Sequence, residues 1–136
     1  MASNRIRGDP ETQVVVLDTN AVLMLFEFSV DFSSELTRLL GRYRLIVPSV
    51  VVRELQVLST TRGPGTRQMH AKAALRFIQN IEIVKAEGRT GDDAVFFLAK
   101  QMKATVVTND KNLRTRLRSE GLQVVFLRGK QTLCME

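Results

Sequence analysis

The sequence predicts an α/β fold, a parallel sheet with helices on both faces, and three observations predict it. Val14-Val15-Val16-Leu17 is an unbroken apolar run, as expected of a strand buried on both faces, and it stops on Asp18, Thr19 and Asn20. A second buried run, Ala104 to Thr108, stops on Asn109 and Asp110. Around these runs, strand-length apolar stretches alternate with stretches of helical period, and strands alternating with helices pair in parallel.

Taken in order, residues 1–12 are polar, carry Arg5, Arg7, Gly8 and Pro10, and read as a flexible leader. The first strand follows, then a helix from Ala21 to Phe28. A second helix runs from about Ser34 to Tyr43, with Leu36, Leu39 and Leu40 on its apolar stripe and Gly41 near its end. Leu45 to Val47 is a short strand. Pro48-Ser49 opens a helix with Val51, Val52, Leu55 and Leu58 inward. Thr60 to Thr66 contains Gly-Pro-Gly and reads as a loop. Arg67 to Gln79 is helical by the spacing of Met69, Ala73 and Phe77, with Ala74 and Ile78 beside them. Ile81 to Val84 is a strand, Asp92 to Met102 a helix, Ala104 to Thr108 a strand, Asn112 to Arg118 a short basic helix stopped by Gly121, and Val124 to Leu127 the last strand. Nothing divides residues 13–136, which read as one domain.

Composition narrows the chemistry. With 136 residues, 44% hydrophobic and 25% charged, the chain is long enough to bury a sizeable core. No apolar run approaches the roughly 20 residues of a membrane span. A single cysteine, Cys134, excludes an intrachain disulfide and fits a reducing cytoplasm. With one cysteine and one histidine (His70), thiolate–imidazole zinc chemistry is excluded, so a metal would be held by oxygen: magnesium, manganese or calcium. The net charge of +6 favours polyanionic partners, nucleic acid first.

The acids carry the functional signal. Asp18 ends the first strand, where an Asx turn or helix cap is the ordinary role. Glu54 lies about one and a half turns into the helix after the second strand. Asp92 and Asp93 open a later helix, where acids complement the macrodipole, and Thr90 stands at capping-box spacing from Asp93. Asp110 repeats the situation of Asp18 after another buried strand. Each has an ordinary role alone, yet together they converge on one sheet edge, where uncompensated carboxylates repel. Such a cluster makes sense if it binds one or two divalent cations, and carboxylate-held Mg²⁺ or Mn²⁺ suits phosphodiester hydrolysis.

The order Asp-Thr-Asn after strand one, Arg53-Glu54-Leu55 on the helix after strand two, Asp92-Asp93-Ala94 opening a later helix, and Thr108-Asn109-Asp110 after the next strand resembles the PIN-domain family from about Val14 to Leu127. The resemblance implies a three-layer α/β/α sandwich with a central parallel sheet, Mg²⁺- or Mn²⁺-dependent ribonuclease activity, and frequent homodimers. It assigns catalysis to Asp18, Glu54, Asp93 and Asp110 and metal binding to Asp18, Asp93 and Asp110. Asp92 is either a fifth member or the true third one, since the doubled acid leaves the register open. Asn20, Thr108 and Asn109 fall where the family has polar helpers that bond a carboxylate or a metal-held water. No acidic position is missing.

Lys111, Arg114, Arg116 and Arg118 crowd the helix after Asp110, and Arg53 adjoins Glu54; these would hold an RNA backbone, or else form a solvated face. Aromatic content of 6% without tryptophan leaves little for base stacking. Other readings fit less well. A haloacid-dehalogenase-type phosphatase needs Asp where Asn20 stands. A phospho-acceptor receiver domain needs an acid where Lys85 follows the third strand. A non-catalytic basic RNA-binding domain stays open. Within the nuclease reading, the role is RNA processing or the toxin of a toxin–antitoxin pair, with an antitoxin or a ribosome-assembly factor as the corresponding protein partner.

Overall fold

A computed structural model describes residues 12–61, 65–86 and 88–136; the expected leader therefore lies outside the described residues, except Thr12. The elements run β1 (Gln13–Leu17), α1 (Thr19–Glu27), α2 (Phe32–Leu40), β2 (Tyr43–Pro48), α3 (Ser49–Thr60), α4 (Gly65–Ile78), β3 (Glu82–Val84), α5 (Gly91–Met102), β4 (Thr105–Val107), α6 (Lys111–Ser119), β5 (Val124–Arg128) and β6 (Thr132–Met135). Six strands form one sheet in the order β3-β2-β1-β4-β5-β6. The first five are parallel, so the α/β class and the mostly parallel central sheet stand as expected.

The apolar runs account for the middle of the sheet. Val15, Val16 and Leu17 of β1 are fully buried, as are Ile46 and Val47 of β2, Val106 of β4, and Val124 and Val125 of β5. A strand can be apolar at every position only if both faces are covered, and helices cover both. From β1 the chain proceeds to β2 and β3 on one side, then crosses to β4 and β5 on the other. The strand order thus reverses between β1 and β4, and the crevice beyond the carboxyl ends of those two strands is where such sheets bind ligands.

Three expectations are corrected. The sheet is not wholly parallel: β6 returns antiparallel to β5, pairing Leu127 with Leu133. Its four residues, TLCM, include one fully buried side chain and give no periodic signal. The inward row of α4 is Ala71, Ala74 and Ile78, while Met69 is 67% exposed. Phe77 still packs inward, edge-on to Phe26 and Phe32. The stretch read as a loop from Thr60 to Thr66 is shorter than that, because α3 runs through Thr60 and α4 begins at Gly65; residues 62–64 lie outside the described residues. Hydroxyls extend α3: Ser59 and Thr60 donate to Gln56 O, and Thr61 donates to Val57 O, satisfying carbonyls that a helix end leaves open.

The β6 edge is tied to α2. Glu35 Oε1 accepts from the Leu133 backbone N–H at 2.8 Å, and Arg38 Nη2 donates to the Leu133 carbonyl at 2.7 Å. Arg38 and Glu35 also pair with each other at 3.0 Å.

Candidate active site

The switch point between β1 and β4 puts Asp18 and Asp110 on adjacent strand ends. Both are helix N-cap residues with extended backbone, Asp18 for α1 and Asp110 for α6. Asp110 behaves as a cap: its Oδ1 accepts from Leu113 N–H at 2.9 Å. Asp18 makes no capping hydrogen bond, is 5% exposed, and accepts instead at Oδ2 from the Thr108 hydroxyl at 2.7 Å. The same hydroxyl accepts from Asp110 N–H at 3.1 Å, so buried Thr108 links the two strand ends.

The other acids come from two helices that begin at the same edge. Glu54 of α3 accepts from the Thr19 hydroxyl. Asp92 lies in the first turn of α5, whose N-cap Thr90 accepts from Asp93 N–H at 3.1 Å, one half of the capping box. One cleft of about 570 Å³ is lined by Asp18, Asn20, Glu54 and Asp92, with Val50, Val57 and Leu58 as an apolar wall and Arg53 and Arg67 at its margin.

Electrostatics tie these groups together. Burial pushes the Asp18 carboxyl up from its ordinary 3.8 to about 6; the Thr108 hydroxyl and the Asn20 backbone N–H oppose that, while Asp92 and Asp110 add to it. Asp92 is also raised, by desolvation first and then by Asp110 and Glu54, with Arg116 opposing. Asp92 thus feels Asp110 and Glu54, and Asp18 feels Asp92 and Asp110. Asp93 stands apart: its Oδ1 pairs with Arg116 Nη1 at 3.0 Å, and that guanidinium lies 4.2 Å from the Phe96 ring centre. Adjacent helix residues diverge by about 100°, and of the doubled acids Asp92 lines the cleft while Asp93 turns to Arg116. Among the described residues, no three acids already stand close enough to share one ion. What fits a hard divalent cation is the donor type, oxygen throughout, and the elevation of Asp18 and Asp92 by desolvation first and by other acids second, which a cation's charge would offset.

The polar helpers divide. Thr108 bonds the Asp18 carboxylate. Asn109 faces the other way: its amide donates to Leu127 O at 3.0 Å and accepts from Leu127 N–H at 2.7 Å, locking the loop to β5. Asn20 is exposed at the mouth and accepts from Arg67 Nη2 at 3.4 Å.

The basic helix is less available than its composition implied. Arg114 pairs with Glu136 at 2.6 Å and lies over Phe126, Arg118 reaches Glu136 at 3.8 Å, and Arg116 holds Asp93. Lys111 is exposed. Two residues at the cleft had no assigned place in it. Arg67 arrives from α4, far away in sequence. Thr19 looked like a turn residue; its neighbourhood to Glu54 is set by the packing of α1 against α3.

Residues 15–130 match the family described as a PIN like domain. The chain belongs to that family. It is 28% identical over 120 residues to Ribonuclease VapC4 of Methanocaldococcus jannaschii, covering 86% of this chain and 92% of the relative. Ribonuclease VapC9 of Archaeoglobus fulgidus is 26% identical over 136 residues, covering 100% of this chain and 98% of the relative. Among solved structures, the PIN domain endonuclease Utp24 superposes with a TM-score of 0.74 at 25% identity, covering 90% of each chain. In this PIN-like domain Asp18, Glu54 and Asp92 line the cleft, and Asp110 stands outside its lining, on the strand end next to that of Asp18. No helix among the described residues is long and apolar enough to cross a membrane.

Proposed function

We propose that this PIN-like domain is an endoribonuclease that hydrolyses RNA phosphodiester bonds with Mg²⁺ or Mn²⁺, held by Asp18, Asp92 and Asp110 with Glu54 as the fourth acid. The observation that supports it most is the cleft that brings Asp18, Glu54 and Asp92 together beside the switch point, where burial first and neighbouring acids second raise Asp18 and Asp92. A divalent cation there would supply the charge that offsets the acids, make a water more acidic and stabilise the leaving oxygen. The protein's part is to hold the carboxylates still. Thr108 keeps Asp18 aimed into the cleft, the cap on α6 fixes Asp110, and Arg116 draws Asp93 away so that Asp92 serves. Arg53 and Arg67 at the cleft margin, with exposed Lys111, hold backbone phosphates.

The test is cleavage of single-stranded or loop RNA in Mg²⁺ or Mn²⁺, abolished by EDTA, with 5′-phosphate and 3′-hydroxyl products because water attacks rather than the ribose 2′-OH. Cleavage that persists in EDTA, or 2′,3′-cyclic phosphate ends, defeats the reading. The likeness to the PIN domain endonuclease Utp24 supports endonucleolytic cleavage, and RNA processing is the first reading of its purpose. A toxin role, with an antitoxin as partner, is the second reading, favoured by the relatives named VapC. A small antitoxin gene beside this one would decide for it. The reading includes a homodimer in the cytoplasm; exposed Ile83 and Phe97 offer apolar surface for the partner, and light scattering measures the mass.

A further inference from the structure

Gly91 has no backbone reason to be glycine. It is the first residue of α5, in a conformation open to any residue. Glycine in a helical position is less stable than alanine. Its reason is space. A methyl group on Gly91 would lie 2.8 Å from both carboxylate oxygens of Glu54 and 3.1 Å from the carboxyl carbon. Those distances are inside van der Waals contact, so the Glu54 carboxylate rests on the bare α-carbon. Its opposite constraint is the Thr19 hydroxyl, which donates to Oε1. The next residue after Gly91 is Asp92, whose carboxyl feels Glu54. A side chain at 91 would therefore push one acid away from the other.

We propose that Gly91 and Thr19 are positioning residues for Glu54: the glycine is a seat that admits the carboxylate to the cleft beside Asp92, and the threonine hydroxyl holds it there. The inference rests on the nuclease reading for its kinetic arm only. The obstructing atoms in Gly91→Ala are the end of a flexible side chain, so the fold accommodates them by moving Glu54. The metal-free variant should melt at or above the parent's temperature while kcat falls by about 10²-fold, the scale of a misplaced reacting group. Thr19→Val, which keeps the shape and removes the hydroxyl, should lower kcat in the same direction. Glu54→Asp withdraws the carboxylate by one methylene, so Gly91→Ala in that background should cost less than about fivefold.

A second readout needs no activity. The Glu54 side-chain carboxyl carbon resonance of metal-free protein, assigned by its loss in Glu54→Gln, should move in both Gly91→Ala and Thr19→Val. Full activity in Gly91→Ala overturns the proposal, as does a Gly91→Ala protein that does not fold. Losses that multiply in the Glu54→Asp background, or a resonance unmoved in both variants, also overturn it. If the parent cleaves no RNA yet the resonance moves, the nuclease reading falls and the seat stands.

Discussion

Asp18 and Asp110 follow two neighbouring parallel strands, each at the N-cap of the next helix, and the chain uses them differently. Asp110 turns Oδ1 to the Leu113 amide and closes the first turn of α6. Asp18 makes no such capping bond and accepts instead from the buried Thr108 hydroxyl, and burial raises it to about 6. The local motifs differ in order, Asp-Thr-Asn against Thr-Asn-Asp. In the second, the threonine precedes the acid and its hydroxyl reaches back across the strand pair to Asp18 while accepting the Asp110 amide. The lesson is that an N-cap position fixes where an aspartate stands without fixing what its carboxylate does. A capping carboxylate stabilises the fold by itself; a buried, uncapped one destabilises it until a cation or a proton arrives.

The largest effect should separate the doubled acids. Asp92→Asn should lower RNA cleavage by more than the roughly 10²-fold that loss of an outer-shell partner costs a metal site. Asp93→Asn, which releases only the part-exposed Arg116 pair, should stay within about tenfold in rate and about 0.5 kcal/mol in stability. Steady-state kinetics and melting curves of the two variants check this, and the reverse ranking would move Asp93 into the site.

The contrast between the two strand ends predicts a pH dependence. The folded-state carboxyl of Asp18 titrates near 6 and its ordinary value is 3.8. Between these values the folded protein holds a proton that the unfolded chain has released. The associated stability is therefore full below about pH 4 and lost as pH rises through 6, by about 3 kcal/mol in EDTA. Asp18→Asn should remove this slope, and Asp110→Asn, which takes away one of the smaller influences that raise Asp18, should only lessen it. A parent-minus-Asp18→Asn difference that is flat from pH 4 to 7 would break the comparison.

Thr108→Val cuts the link between the two ends. It leaves the Asp110 amide and Asp18 Oδ2 without their shared partner, which should cost about 1–3 kcal/mol in metal-free unfolding. Because that hydroxyl favours the ionised form, the Asp18 titration should also move upward from about 6, as carboxyl NMR would show.

The smallest effect concerns RNA affinity. Arg53→Ala and Arg67→Ala should each lower the log–log salt slope of single-strand RNA binding by about 0.7. Arg114→Ala, whose parent side chain is already paired with Glu136, should change it by less. Equal slopes for all three would return the basic helix to RNA binding.

Much of this was legible in the chain itself, for identifiable reasons. The β1 and β4 runs are apolar at every position, which only a doubly covered strand needs, so the sheet centre and the acids at its edge could be placed. The strand β6 could not be read, because four residues pairing back on β5 carry no period. The proposed preference for Asp92 over Asp93 rests on the helix phase and the reach of Arg116 from α6. Arg67 and Thr19 join the cleft through helix packing, which no local pattern records. The charge of α6 was plain, but its partners, Glu136 and Asp93, are 22 and 23 residues from Arg114 and Arg116.

The bonds from Glu35 and Arg38 to Leu133 bear on how the molecule behaves in a crowd. A carboxylate that accepts from a strand's outward N–H and a guanidinium that donates to the same residue's C=O reproduce, from side chains, what a seventh strand would offer. The rim of the sheet at β6 is therefore already engaged at its midpoint and makes a poor template for another chain's extended segment. At the opposite rim, the exposed side-chain pair of three-residue β3, Glu82 with Arg44, runs inward to β2. Strand addition or aggregation, if it is provoked by heat or truncation, should begin at β3.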